Sequence, residues 1–168
     1  VGRFQELLPE ARFGRDKHLI ITGGEPLLGW QRSFPSLIDK CIGMGLTDLT
    51  FETNGTQLLS NELFDYLQSI KGQVTTTFSV SAKLPCSGEP WEEAIQPNVV
   101  KQYTLVGDAY LKFVVAERSD LADAIIAVHE YKDNGVDIPV YLMPVGGVNS
   151  VYEMNERSVL RAIISVFQ

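Results

Sequence analysis

Five short β-rich runs recur about every 30 residues, the length of one strand–helix–strand unit. They are His18–Thr22, Leu49–Glu52, Phe78–Ser81, Lys112–Val115 and Val140–Met143. Helical patterns separate most of them. Phe34, Leu37, Ile38, Cys41 and Ile42 step by three and four, which places them on one helix face. Ser33 stands where an N-cap belongs, and Gly43 or Gly45 ends the pattern. Leu63, Phe64, Leu67 and Ile70 repeat it after Ser60 and stop at Gly72. Leu121, Ala124, Ile125 and Val128 form a third face between a Ser119/Asp120 cap and Gly135. Val159, Leu160, Ile163, Ile164 and Phe167 form a fourth. Leu84–Gly107 is less regular: Pro85, Gly88, Pro90 and Pro97 predict mostly loop, with a short helix from Trp91.

This alternation specifies an α/β fold with a parallel sheet and helices outside it. Leu19-Ile20-Ile21 and Phe113-Val114-Val115 are continuously apolar, the pattern of strands buried on both faces. Five strands do not close an eight-stranded barrel, so an open doubly wound sheet or part of a barrel remains. The 168 residues suit a single domain, 1–168, with no internal boundary. The chain opens in Phe4-Gln5-Glu6-Leu7-Leu8, which resembles a helix tail, and stops at Gln168 inside an apolar pattern. Both ends are expected to be cut.

The net charge of −7 gives no general attraction to phosphate backbones, which argues against a nucleic-acid partner. No apolar run approaches the ~20 residues of a membrane helix, so no membrane role is expected. Cys41 and Cys86 form neither a disulfide framework nor a metal motif. Cys41 falls on an apolar helix face and is expected to be buried; Cys86 sits in a Pro/Gly loop. With no export signal near the start, the expected compartment is the reducing cytoplasm. His18 and His129 lack partners at ligand spacing, and Trp30 and Trp91 fit gap-filling roles better than ligand stacking.

In parallel α/β folds the site lies at the carboxyl ends of the strands. The residues there are Thr22-Gly23-Gly24-Glu25-Pro26, Glu52-Thr53-Asn54-Gly55-Thr56, Ser81-Ala82-Lys83, Ala116-Glu117 and Pro144-Val145-Gly146-Gly147. Adjacent glycines let a ligand approach the backbone, and the carboxylate of Glu25 can hold an ammonium group. An ordinary strand-to-helix turn would use the same residues. Glu52 and Asn54 can bind a ribose hydroxyl or a heterocycle edge, although Asn-Gly is also a turn signal. Lys83 suits a carboxylate partner or simply solvent.

Ile21-Thr22-Gly23-Gly24-Glu25-Pro26-Leu27-Leu28 resembles the GGEP motif of the radical S-adenosylmethionine enzymes. The order TGGEPLL, FETNGT, Ser-x-Lys, LKFVV and LMP-x-G, from Lys17 to about Gly147, is similar to the 7-carboxy-7-deazaguanine synthases. The resemblance implies a partial (β/α)6 barrel of the radical S-adenosylmethionine type, with about five of its strands present here. It implies S-adenosylmethionine, a [4Fe-4S] cluster and Mg2+ as cofactors. The implied reaction converts 6-carboxy-5,6,7,8-tetrahydropterin to 7-carboxy-7-deazaguanine with loss of ammonia, on the route to queuosine and related bases. An electron donor such as flavodoxin or ferredoxin is an implied partner, and a homodimer is compatible with the family.

Carried over by position, the resemblance places Gly23 and Gly24 on the cofactor, with Glu25 near its ammonium. Thr22 faces the pterin, and Glu52 and Asn54 belong to the substrate side without an assigned partner. Ser81, Ala82 and Lys83 hold the cofactor's carboxylate or ribose side, and Met143, Pro144, Val145 and Gly146 pass beside the adenine. Ala82 stands where many relatives are expected to carry proline. The cluster-binding Cys-x-x-x-Cys-x-x-Cys is absent, as are the expected Mg2+-binding threonine and a C-terminal substrate-contacting tail. No metal ligands are therefore assigned in the chain. The cluster cysteines are expected upstream of Val1, and the chain as written is not expected to cleave the cofactor. The competing expectations are another radical enzyme, such as an activase, and a cluster-free binding scaffold.

Overall fold

The computed structural model describes residues 17–144 together with Glu6, Leu8, Arg12 and Phe13. All five expected strands form, as β1 (Leu19–Ile21), β2 (Asp48–Thr53), β3 (Thr75–Val80), β4 (Asp108–Val115) and β5 (Val140–Pro144). They pair in parallel in the order β1-β2-β3-β4-β5, each beside its successor. Parallel neighbours need crossovers. These carry α1 (Phe34–Ile42), α2 (Asn61–Ser69), the single-turn α3 (Trp91–Ala94), α4 (Pro97–Val106) and α5 (Arg118–Asp133). The predicted fourth face, Val159 to Phe167, lies outside the described residues.

The helices form one layer. Tyr66 of α2 donates its hydroxyl hydrogen to Asp39 of α1 at 2.7 Å. Gln68 of α2 donates to the Leu105 carbonyl of α4 at 3.1 Å, and Lys101 of α4 donates to the Asn134 carbonyl just past α5 at 3.1 Å. A sheet that adds strands in one direction through right-handed crossovers keeps its helices on one side. Burial alternates to match. Leu49, Phe51, Thr53, Phe78, Val80, Leu111, Phe113 and Val115 are buried on the helix side. On the other face Ile20, Val114, Tyr141 and Met143 are 46%, 38%, 56% and 44% exposed. The expectation of strands buried on both faces is thus corrected. Among the described residues the sheet is singly wound, with one face under helices and the other open, rather than doubly wound.

A row of rings fixes the helix layer to the sheet. Phe34 of α1 meets Phe51 edge-on at 5.5 Å. Phe51 stacks on Phe78 at 5.4 Å, and Phe78 stacks on Tyr103 of α4 at 4.5 Å. Such pairs add about 0.5–1.5 kcal/mol each beyond area burial.

Local signals explain the helix ends. Ser60 caps α2 by accepting from the Leu63 N–H. Ser33 makes no side-chain cap, because a 3-10 turn over Gln31–Ser33 leads directly into α1. The cap of α5 is Glu117, in a reciprocal box with Asp120, rather than Ser119 or Asp120. The segment expected to be mostly loop contains α4. Pro97 opens that helix at a position where its missing N–H costs nothing, and Val99, Val100, Tyr103 and Val106 are its buried face. Among the described residues no helix is long and apolar enough to cross a membrane.

Candidate functional site

The loops after β1 and β2 are tied together by one carboxylate. Glu25 Oε1 accepts from the Leu27 N–H at 3.1 Å and from the Thr53 hydroxyl at 2.7 Å. Its Oε2 accepts from the Asn54 N–H at 2.7 Å. Three of the roughly four lone-pair sites of the carboxylate are therefore engaged within the chain. Gln31 makes a second tie: its amide donates to the Leu27 and Leu58 carbonyls at 2.9 and 2.8 Å and accepts from the Ser60 N–H at 2.6 Å.

Ahead of Glu25, Gly23 and Gly24 have φ of +98° and +52°, and a Cβ on either would meet nothing within 4 Å. Their backbone is presented to open space at the carboxyl end of β1, and it is conformation that requires glycine there. Asn54 uses its side chain locally, with Oδ1 accepting from the Thr56 N–H at 3.1 Å and its hydroxyl at 2.8 Å. That is the turn role of an Asx residue. Tyr103, whose phenol is pushed up chiefly by burial, stays protonated and donates to the Gln57 carbonyl at 2.5 Å.

The open face of the sheet carries a polar row. Thr22 donates its hydroxyl hydrogen to Glu52 Oε2 at 3.0 Å. Glu52 Oε1 lies 3.8 Å from the Lys112 ammonium. Ser79 of β3 pairs in register with Glu52 on one side and Tyr110 on the other. Its hydroxyl is buried and has no partner among the described residues. Ser81 continues β3, its N–H bonded to the Thr53 carbonyl at 2.7 Å. Lys83 is half-buried and Ala82 is buried beside it. Met143 and Pro144 close β5, in register with Val114 and Val115. Val145 and Gly146 lie outside the described residues.

The fold thus brings Thr22, Gly23, Gly24, Glu25, Glu52 and Asn54 to adjacent strand ends, with Ser81 and Lys83 on the next. The roles of three residues escaped the sequence reading, although Thr53 itself stands in the segment read at the end of β2. Lys112 was detectable as the single charge inside LKFVV. Thr53 and Gln31 act through contacts between loops that no local pattern encodes. His18 and His129 are exposed, Trp30 is 68% exposed, and the Trp91 ring N–H donates to Glu130 at 2.8 Å. Cys41 is buried in α1 and Cys86 is exposed after β3. Among the described residues no group of three His, Cys, Asp or Glu is placed to hold a metal ion. A separate cavity of about 310 Å3, lined by Lys71, Thr75, Thr104 and Asp108 among others, lies at the amino ends of β3 and β4.

Compared with protein-family models, curated proteins and solved structures, the chain gives no match in any of the three.

Proposed function

We propose that the chain is the S-adenosylmethionine- and pterin-binding part of a radical enzyme of the 7-carboxy-7-deazaguanine synthase type, its sheet forming five strands of a partial (β/α)6 barrel. One observation carries the reading. The three motif segments, Gly23-Gly24-Glu25-Pro26, Glu52-Thr53-Asn54-Gly55 and Ser81-Ala82-Lys83, leave the carboxyl ends of three consecutive, adjacent strands of a singly wound sheet. A barrel wall is built that way, and its sites lie at that end.

In this reading Gly23 and Gly24 offer backbone groups to the methionine end of the cofactor. Glu25 positions them by locking their loop onto Thr53 and Asn54. Lys83 supplies a positive charge for the cofactor's carboxylate, and Ser81 a hydroxyl. Thr22 and Glu52 face the pterin from the open side of the sheet. The bound cofactor supplies the radical that begins ring contraction.

An iron–sulfur cluster of this type needs three converging thiolates. Cys41 is buried in a helix and Cys86 is exposed in a later loop, so the two do not fit it. Among the described residues no three His, Cys, Asp or Glu side chains gather into a metal-binding group. The work assigned to this chain is binding and orientation.

Titration calorimetry of the 168-residue chain with S-adenosylhomocysteine tests the proposal. Binding that falls about tenfold or more in Lys83→Ala is expected, on the scale of one charge-assisted contact. No binding by the folded chain, or unchanged affinity in the variant, would count against it.

A further inference from the structure

β1 is the shortest of the five strands, Leu19–Ile21, and among the described residues it pairs only with β2. The loop it feeds turns through Gly23, Gly24 and Gly29, all with positive φ. Glycine backbone loses the most freedom on ordering, so this loop needs support from outside. The loop after β2 is anchored to the helix layer. Tyr103 of α4 donates to the Gln57 carbonyl, and Gln102 of α4 accepts from the Leu59 N–H at 2.8 Å. The first loop is hydrogen-bonded to this anchored one at two places.

Glu25 makes the first tie, through Thr53 and Asn54. Gln31 makes the other. Its amide donates to the Leu27 carbonyl at 2.9 Å and to the Leu58 carbonyl at 2.8 Å, and its oxygen accepts from the Ser60 N–H at 2.6 Å. Residues 25–31 and 53–60 thus form a ring closed by a side chain at each end, and neither loop can swing about a single tie. The amide nitrogen and oxygen are both committed, to three backbone groups. An ionised glutamate of the same length has no donor, and lysine or arginine has no acceptor. The position therefore requires glutamine for its chemistry and not for its bulk.

We propose that Gln31 is a positioning residue for the ligand held by Gly23 and Gly24, setting the spacing of the loops after β1 and β2 by bonding Leu27 to Leu58 and Ser60. It acts through those backbone groups and not by touching the ligand. This rests on the function proposed above and adds to it the residue that fixes the cofactor-side glycines relative to Glu52 and Asn54.

Calorimetric titrations with S-adenosylhomocysteine test it, on the 168-residue chain and on Gln31→Glu and Gln31→Met, at about pH 8 and about pH 5. At the higher pH the carboxylate of Gln31→Glu faces two carbonyl oxygens with no proton to give them. Affinity there is expected to fall about fivefold or more, the scale of one lost hydrogen bond. At the lower pH the carboxyl group, its pKa raised by those oxygens, takes up a proton and donates again, so the deficit against wild type is expected to shrink. Gln31→Met keeps the length without the polar atoms and is expected to show a deficit that does not change with pH. If it does not fold, Gln31→Glu carries the test, because it keeps the shape and the acceptor for Ser60. A residue that serves stability alone would lower Tm in the variants but leave the affinity of the folded chain at the wild-type value. That result overturns the assignment and leaves the functional reading standing. So does a Gln31→Glu deficit that is the same at both pH values. A folded wild-type chain that does not bind S-adenosylhomocysteine overturns both.

Discussion

Thr53 on β2 donates its hydroxyl hydrogen to Oε1 of Glu25, 28 positions earlier in the loop after β1, at 2.7 Å. Thr53 is buried, and its oxygen also accepts from the Gly55 N–H at 3.1 Å. The contact fixes the Gly-Gly turn against the neighbouring strand. Thr53→Val keeps the shape and removes the donor. It is expected to cost about 1.5–3 kcal/mol in urea unfolding, the range for a hydrogen bond to a charged group. Combined with Glu25→Gln, the two losses should fall short of additive by at least 0.5 kcal/mol or so, as for residues in one network. Strict additivity would show that the two loops are not coupled through this bond.

The strands were legible because five apolar β-rich runs leave few alternatives to a parallel sheet. Their orientation was not. Leu19-Ile20-Ile21 looks buried throughout, but Ile20 lies on the open face at 46% exposure, and an apolar residue there leaves no polar mark in the sequence. Helix α4 was hidden because Pro97 signals a break and a helix start equally well. At the site, Gly23, Gly24 and Glu25 were legible as a motif. What Glu25 holds was not, because its partners come from β2 and hydrogen bonds between loops follow only from the sheet order. Lys112 was overlooked inside LKFVV, where a charge in an apolar strand marks the face that helices do not cover.

Gly55 has φ of +79°, and a Cβ there would lie 2.6 Å from Val80 Cγ1. Gly23 has a comparable φ but open space around it. Gly23→Ala should therefore cost only the left-handed conformation, about 1–2 kcal/mol. Gly55→Ala adds an overpacking penalty of about 1–3 kcal/mol. Chemical denaturation of the two variants should rank them in that order, and Val80→Ala in the Gly55→Ala background should recover part of the difference. Equal losses would mean that β3 shifts to admit the methyl group.

Asp120 is 2% exposed at the start of α5. Burial alone would push its carboxyl up. The N–H groups of Ala116 and Glu117, with the Cys86 thiol, outweigh burial and hold it below the usual carboxylate range. Folding therefore favours the ionised form. That stabilisation is complete above the unfolded value of about 3.9 and is lost as pH falls through the lower, folded one. Asp120→Asn should lower Tm at pH 7, and the gap to wild type should close in acid. A gap that stays constant with pH would mean that the loss comes from packing.

The same carboxylate governs a thiol. Cys86 is exposed, yet its thiol is pushed up, first by partial shielding of the sulfur and then by the hydrogen bond and charge of Asp120. The thiolate is the reactive form, so Cys86 should react slowly with an aromatic disulfide reagent although solvent reaches it. Cys41 is buried in α1, and burial pushes its thiol up as well. One thiol per folded chain is expected to react, and two after denaturation. Asp120→Asn removes the charge that holds the Cys86 proton, so labelling of that thiol should quicken several-fold while Cys41 stays protected. If both thiols quicken together, the variant is opening the fold around α1 instead, and the faster Cys86 reaction says nothing about its proton.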